Sequence, residues 1–142
     1  MTPPVHRIVG VAAVAVTAAA VGWGLWTVGS PENRRLEKLD ERRLDDLRGI
    51  AREMRGLVYD AGDERLERPL FDDLASLAAA ARNRRVTIED PVTGEPYAYR
   101  VLDTHRYELC ATFARPRDAD FEVSWNHPAG RHCFVIDVRE WP

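Results

Sequence analysis

The chain begins with a long apolar run, after which apolar and charged residues alternate. Residues 8–28 carry no charged side chain. As a helix they extend about 31 Å, enough to cross the hydrocarbon core of a bilayer. Trp23 and Trp26 lie near the far end of the run, where aromatic side chains favour the membrane interface. The pattern predicts a transmembrane helix over 8–28, with a short tail of residues 1–7 before it and a linker of residues 29–31 after it.

A cleaved secretory signal is the alternative interpretation of this run. Arg7 fits the charged start of a signal peptide, and the small residues at 18–20 fit a cleavage site. The apolar run continues past that site to Val28, which a retained anchor explains and a cleaved signal does not. We therefore expect an anchor.

The residues that follow the run predict first helices and then strands. In 32–58, apolar residues recur at three-and-four spacing between charged ones, as in an amphipathic helix with one buried face. A second helix is indicated by Pro69 near its first turn, by Asp72 and Asp73 at its N-terminal end and by arginines at 82–85 near its close. The stripe of the first helix consists of Leu36, Leu39, Leu44, Leu47, Ile50, Met54 and Leu57.

From Val86 onward the pattern changes to short runs rich in β-branched and aromatic residues, separated by turn residues such as Pro, Gly, Asp and Asn. Helices first and strands afterwards predict an α+β domain over 32–142, in which a small antiparallel sheet of four to five strands packs on the long helix. The predicted strands are 86–89, 97–102, 107–114, 121–125 and 132–138.

Composition and charge narrow the classes of partner. The length after the anchor suits one domain, and the formal net charge of −3 comes from interleaved acidic and basic residues. No basic face indicates nucleic acid, and no sequence motif indicates a small-molecule substrate or a cofactor. The expected partners are the lipid bilayer and integral membrane proteins, since Gly10, Gly22 and Gly24 leave a smooth helix surface for close packing.

Two cysteines and two histidines are the residues with the clearest chemical potential. Cys110 and Cys133 each lie in a predicted strand, and they either form a disulfide or remain buried free thiols. With His127 and His132 they supply the ligand types of a Cys₂His₂ zinc site. The spacing is unlike that of known zinc frameworks, and consecutive residues His132 and Cys133 of a strand point to opposite faces. We therefore predict no metal site, and the small metal protein or enzyme stays an alternative.

Aromatic residues supply a candidate surface for a partner. Trp125, Phe121, Phe134 and Tyr107 are aromatic residues of the predicted sheet, and alternation favours the core for the last two. Trp141 lies at the C-terminal end of the sequence, where little core is left to join. We expect Trp141 to be the candidate docking side chain.

One segment resembles a known family. The sequence D-P-V-T-G-E-P-Y-A-Y over 90–99 is similar to the D-P-x-G-x-P-Y-x-Y turn of the type II secretion pseudopilins of bacteria, with one extra residue. The order of elements is also similar: an apolar helix, an amphipathic extension, and then a small antiparallel sheet. The resemblance implies a pilin-like fold, a bacterial cell membrane, and a role in a secretion or pilus system.

The chain also departs from the pseudopilin pattern. No Gly-Phe-Thr-Leu-x-Glu-like leader is present, and the apolar run holds no acidic residue. Pseudopilins often hold calcium in a late loop, and the acids that correspond here are Asp118, Asp120 and Glu122. We do not expect these three to bind calcium.

Two features of the sequence bear on membrane orientation: the basic residues around the apolar run and the two cysteines. Basic residues after the run outnumber those before it, which favours a cytoplasmic domain. Cys110 and Cys133 are natural disulfide partners if the domain faces an oxidising compartment, whereas a cytoplasmic domain would favour free thiols, so their state is linked to the orientation. We expect a single-pass protein of the bacterial inner membrane with an extracytoplasmic, periplasmic domain, acting as a non-catalytic accessory subunit of a larger membrane complex. A pseudopilin-like component and a metal protein are the two alternatives.

Overall fold

The computed structural model describes residues 5–28, 31–60, 62–81 and 86–140. The chain divides into two compact units, 1–35 and 36–142. The first contains helix α1, Val5–Val28, and the start of helix α2, Pro31–Val58. The second contains the rest of α2 and all of the strands. The predicted α+β class with an apolar N-terminal helix is confirmed.

Helix α2 builds one side of the hydrophobic core. Its fully buried apolar residues recur at three-and-four spacing, which places them on one face of the helix. The ends of the predicted stripe, Leu36, Leu39 and Leu57, are only partly buried. The buried apolar residues of α2 are Leu44, Leu47, Ile50, Ala51, Met54 and Val58.

A short hairpin follows α2 directly. Strands β1, Tyr59–Asp60, and β2, Arg65–Leu66, pair antiparallel. The Asp60 carboxylate accepts a hydrogen bond from Gly62 N at 2.7 Å, which stabilises the turn. The sequence predicted no strands in this region, because two-residue strands are too short to show alternation.

Helix α3, Leu74–Ala80, is shorter than the sequence predicted. It begins after Asp73, whose Oδ1 accepts a hydrogen bond from Ser76 N at 2.7 Å. This N-cap fixes the start of the helix, so Pro69 lies before the helix and not in its first turn. The arginines predicted for its close lie outside the described residues.

The main sheet has three antiparallel strands in the order β3, β4, β5. They are β3, Ala98–Val101, β4, Arg106–Phe113, and β5, Gly130–Asp137. Three of the predicted strands therefore exist. Tyr107, Leu109, Phe134 and Ile136 point from this sheet into the core that α2 and α3 complete.

Two of the predicted segments are not strands, so the described sheet is smaller than the four to five strands expected. Segment 86–89 contributes only one isolated bridge, Glu89 to Pro96, which is flanked by hydrogen bonds from Asp90 N to Glu95 O and from Tyr97 N to Ile88 O. In 121–125 the chain forms a 3₁₀ turn, Val123–Trp125. A strand would place Phe121 on the same face as Trp125, whereas only Trp125 has a place in the core.

Candidate functional site

Helix α1 exposes its apolar surface along the described length. The segment Arg7–Gly24 is apolar and long enough to cross a membrane, and none of it is buried within the protein. Val14 is 70% exposed and Trp23 is 77% exposed. The side chain of Trp26, the other predicted interface residue, lies outside the described part of the chain. The helix therefore offers a surface that water does not favour.

Cys110 and Cys133 lie directly opposite one another on β4 and β5 and form a disulfide, with an S–S distance of 2.11 Å. Val138 N donates to His105 O, which identifies a hydrogen-bonded pair of this ladder. Hydrogen-bonded and non-hydrogen-bonded residue pairs alternate along an antiparallel ladder. In this register Cys110 and Cys133 form a non-hydrogen-bonded pair, in which the two Cα atoms approach most closely. Their Cα atoms are 4.0 Å apart.

The disulfide lies on the sheet face that points away from the core. A shallow surface depression of about 430 Å³ lies over it and is lined by both cysteines together with Arg100, Glu108 and Arg131. Arg100 Nη2 donates to Glu108 Oε2 at 3.0 Å. Within the described ranges, Glu108, Cys110 and Cys133 are the one group whose potential ligand atoms lie within 4.8 Å of one another. Both sulfurs are already bonded to each other.

The two histidines lie on the opposite side of the sheet from the cysteines. The His127 ring stacks on Phe113 with centroids 3.6 Å apart, and the His132 ring meets Phe134 edge to face at 4.7 Å. Alternation along β5 separates His132 from its neighbour Cys133. The structure therefore does not bring the four sequence-predicted ligand types together.

His127 is a buried histidine with an incomplete set of hydrogen bonds. It is 5% exposed, and Nδ1 lies 3.0 Å from the Pro128 carbonyl oxygen. Nε2 has no partner among the described residues. Burial lowers the pKa of His127 below its usual value, so the neutral ring is favoured.

An ionic network that the sequence analysis missed joins α2 to two loops. Arg43 Nη1 lies 2.9 Å from Asp40 Oδ1, and Arg43 Nε lies 2.6 Å from Asp90 Oδ2. The Asp40 carboxylate also accepts hydrogen bonds from the backbone N–H groups of Ala114 and Arg115. The hydrogen bonds that Arg43 donates to the Asp90 carboxylate raise the pKa of Arg43 and lower the pKa of Asp90. Asp40 and Arg43 continue the three-and-four spacing of the buried leucines. This spacing is the sequence feature from which their burial could have been predicted.

The segment that resembles the pseudopilin turn is tied to α2 through its side chains. Asp90 accepts hydrogen bonds from the N–H groups of Val92 and Thr93, and Gly94 has a φ of +70°, which glycine adopts without strain. Tyr97 donates to Asp46 Oδ2 at 2.9 Å. Burial raises the pKa of both Tyr97 and Asp46. These contacts give the motif a clear structural role.

The loop between β4 and β5 holds the three acids considered for calcium. Glu122 is ion-paired with Arg48 and with Arg117, so its carboxylate is already neutralised. Asp118 accepts a long hydrogen bond from Asn126 Nδ2 at 3.4 Å. Asp120 belongs to no cluster of potential ligand atoms among the described residues. The loop therefore shows no assembled calcium site in the part of the chain that the structure describes.

The aromatic residues proposed as a recognition surface separate into two groups. Trp125, Phe134 and Tyr107 are buried, and Trp125 packs on Phe134 with ring centroids 4.9 Å apart. Phe121 is 99% exposed. Trp141 lies outside the described residues, so its expected docking role stays a prediction.

Comparison with known proteins finds no family model, no curated protein and no solved structure that matches the chain. The resemblance to pseudopilins therefore depends on the residues of the 90–99 segment and on the order of elements.

Proposed function

We propose that this chain is a single-pass membrane protein that acts as a non-catalytic accessory subunit of a larger membrane complex. The observation that carries the proposal is the contrast between α1, with its exposed apolar surface, and the second unit, with its own core. A helix that buries nothing within its own chain gains stability from lipid or from other apolar helices.

The disulfide supports an extracytoplasmic domain. Disulfides persist in oxidising compartments and are rare in reducing cytosol. The bridge between Cys110 and Cys133 therefore favours the periplasmic side, against the excess of basic residues after the span. We propose that the domain faces the periplasm of a bacterial inner membrane.

The decisive experiment is purification of the native protein from its membranes in mild detergent, with mass spectrometry of its N-terminus and companions. Retention of residues 8–28 with stoichiometric integral membrane proteins is the expected result. Cleavage after 18–20, with release of a soluble domain, would contradict the anchor. Purification of the anchored chain alone at several detergent concentrations would contradict the role in a complex.

Orientation has its own test in intact cells. The cysteines are alkylated with a membrane-impermeant maleimide before and after mild reduction from outside the membrane. Labelling only after external reduction is the expected result, because an oxidised periplasmic pair has no free thiol. Labelling that requires cell lysis but no reductant would place the domain in the cytoplasm.

A pseudopilin-like component is the second candidate. Its specific support is the 90–99 turn, which connects the helical part to a small antiparallel sheet and is fixed to α2 by Arg43. This function predicts processing of the N-terminal segment and cross-links to filament subunits. An unprocessed N-terminus in the native membrane would count against it.

A further inference from the structure

The β4–β5 loop presents two apolar side chains to solvent. Phe121 is 99% exposed and Val123 is 69% exposed, and together they form what we term the Phe121 knob. Single exposed apolar residues are common on protein surfaces. A fully exposed phenylalanine close in sequence to a second exposed apolar residue is less common. Here the residues that flank Phe121 in the loop make hydrogen bonds and ion pairs.

The backbone on either side of Phe121 is fixed by specific contacts. On the N-terminal side, Ala119 N donates to Asn126 Oδ1 at 2.8 Å, and Asn126 Nδ2 donates to Ala119 O at 3.2 Å. On the C-terminal side, Glu122 O accepts a hydrogen bond from Trp125 N at 3.0 Å, and the Glu122 side chain is ion-paired with Arg48 of α2 and with Arg117. The loop therefore holds Phe121 in position, and docking would cost little ordering of the backbone.

Trp125 attaches the same loop to the core. It is 4% exposed, packs on Phe134, and has the Arg48 guanidinium 5.7 Å from its ring centroid. Arg48 thus contacts the loop twice, once through Trp125 and once through Glu122. Phe121 is exposed because the loop buries its neighbour Trp125 instead, and not because the loop lacks contacts.

The charges beside the knob indicate the chemistry of its partner. Asp118 and Asp120 are exposed, and neither forms an ion pair with a described residue. Glu122 is ion-paired with two arginines, so Asp118 and Asp120 are the acids beside the knob that lack an ion pair with a described residue. These two carboxylates disfavour an anionic lipid surface and favour a protein pocket with Lys or Arg at its edge.

We propose that the Phe121 knob inserts into an apolar pocket with a basic rim on a protein subunit of the same membrane complex. The inference rests on the proposed role as an accessory subunit and names the surface that makes the contact. An aromatic side chain on a preorganised loop has the properties of an interface hot spot, and surrounding charges improve specificity and association rate.

The test places a photoreactive p-benzoylphenylalanine at position 121 of the full chain in its native membranes. The matched control places it at Val92, which is 59% exposed in a different turn. The expected result is a cross-link from 121, and none from 92, to a peptide of a co-purifying integral subunit that contains apolar residues beside Lys or Arg. A lipid adduct, a cross-link to a second copy of the chain, or no cross-link at 121 would overturn the proposal.

Substitutions then measure what the knob contributes. Phe121→Ser is expected to lower recovery of the cross-linked subunit at least tenfold, whereas Val92→Ser leaves it unchanged. Phe121→Leu is expected to restore most of the recovery. The pair Asp118→Asn and Asp120→Asn is expected to weaken recovery at low salt and to reduce its salt dependence. Equal losses for Phe121→Ser and Val92→Ser would contradict a specific site.

The two proposals fail in distinguishable ways. If the unsubstituted protein retains its integral companions but Phe121→Ser changes nothing, the docking inference is wrong and the accessory role stands. If the unsubstituted protein has no companions, the accessory role is wrong, and the missing cross-link at 121 overturns the docking inference as well. Circular dichroism of Phe121→Ser serves as the folding control, since the side chain makes no core contact.

Discussion

Helices α1 and α2 are similar in length but place their apolar side chains in opposite surroundings. Helix α1 has 24 residues, and Val14 at its middle is 70% exposed. Helix α2 has 28 residues, and Leu47 and Met54 are fully buried. The second unit covers the apolar face of α2, whereas the apolar side chains of α1 are exposed along its described length. The comparison teaches that length alone does not determine the surroundings of a helix: α2 is stabilised by burial within its own unit, whereas for α1 we propose burial in lipid.

The largest expected effect comes from a cavity beneath α2. Leu47→Ala is expected to lower the free energy of unfolding of the domain by about 4 kcal/mol, because it removes buried methyl groups and leaves a cavity. Val14→Ala, the matched change in α1, is expected to leave this value unchanged. Urea unfolding in mild detergent, followed by tryptophan fluorescence, measures both. Equal losses would show that α1 also packs on the domain.

A charged residue introduced into α1 tests whether this helix lies in lipid. Val14→Arg is expected to disfavour membrane insertion by about 3 kcal/mol, because an arginine at the centre of the span is poorly solvated by lipid. Extraction of membranes at alkaline pH measures the fraction that stays anchored. Val92→Arg, at an exposed position of the domain, should leave anchoring intact. Full retention of Val14→Arg would contradict a spanning role for the helix.

The buried face of α2 also contains the charged side chains of Asp40 and Arg43, and their contribution to stability can be measured. Arg43→Ala is expected to lower the free energy of unfolding by about 2 kcal/mol, because Asp40 and Asp90 lose their shared cation while each keeps two backbone N–H donors. Thermal unfolding at neutral pH measures the change. The control is Arg139→Ala, which breaks an exposed pair with Asp137 and should have no measurable effect. Equal effects would contradict a special role for the buried pair.

The smallest expected effect is a change in pH dependence. Arg43 lowers the pKa of Asp90 in the folded state, so the ionised carboxylate stabilises the fold above its usual pKa of 3.8. This contribution is lost as the pH falls through the lowered folded-state pKa. Asp90→Asn is therefore expected to reduce stability near neutral pH and to flatten the acid limb of a plot of melting temperature against pH.

Asp46 provides a control of opposite sign. Burial raises the pKa of Asp46, so protonation favours the folded state as the pH falls. Asp46→Asn is expected to steepen the acid limb instead of flattening it. If both variants changed the slope in the same direction, the assignment of these two shifts would be wrong.

The pattern of apolar residues predicted strands correctly where one face of the strand is buried and the other is exposed. The alternation over 107–114 and 132–138 predicted β4 and β5, because inward residues such as Leu109 and Phe134 face a single core. It failed at 121–125, where the same alternation produced a 3₁₀ turn. An apolar residue at every second position indicates a possible strand, but a strand forms only when the sheet has a partner for it.

In the candidate site, too, the sequence predicted some features and missed others. The sequence identified the cysteine pair and grouped Phe121 with other aromatic residues, but it could not tell which aromatic residue would stay exposed. Arg43 was missed because a charged residue in phase with leucines is usually assigned to the exposed edge of the stripe. Its burial depends on Asp90, which lies 47 residues further along the chain.

The sequence by itself determined the elements whose signals are local: the apolar length of α1, the three-and-four spacing of α2, and the alternation of the two long strands. Local spacing is enough for these, because helix and strand periodicity follow from backbone geometry. Only the tertiary structure decided that Cys110 faces Cys133, that the histidines lie on the other side of the sheet, and that Phe121 is exposed while Trp125 is buried. Each of these depends on strand register or on competition for limited core space, which joins residues distant in sequence and leaves no local pattern.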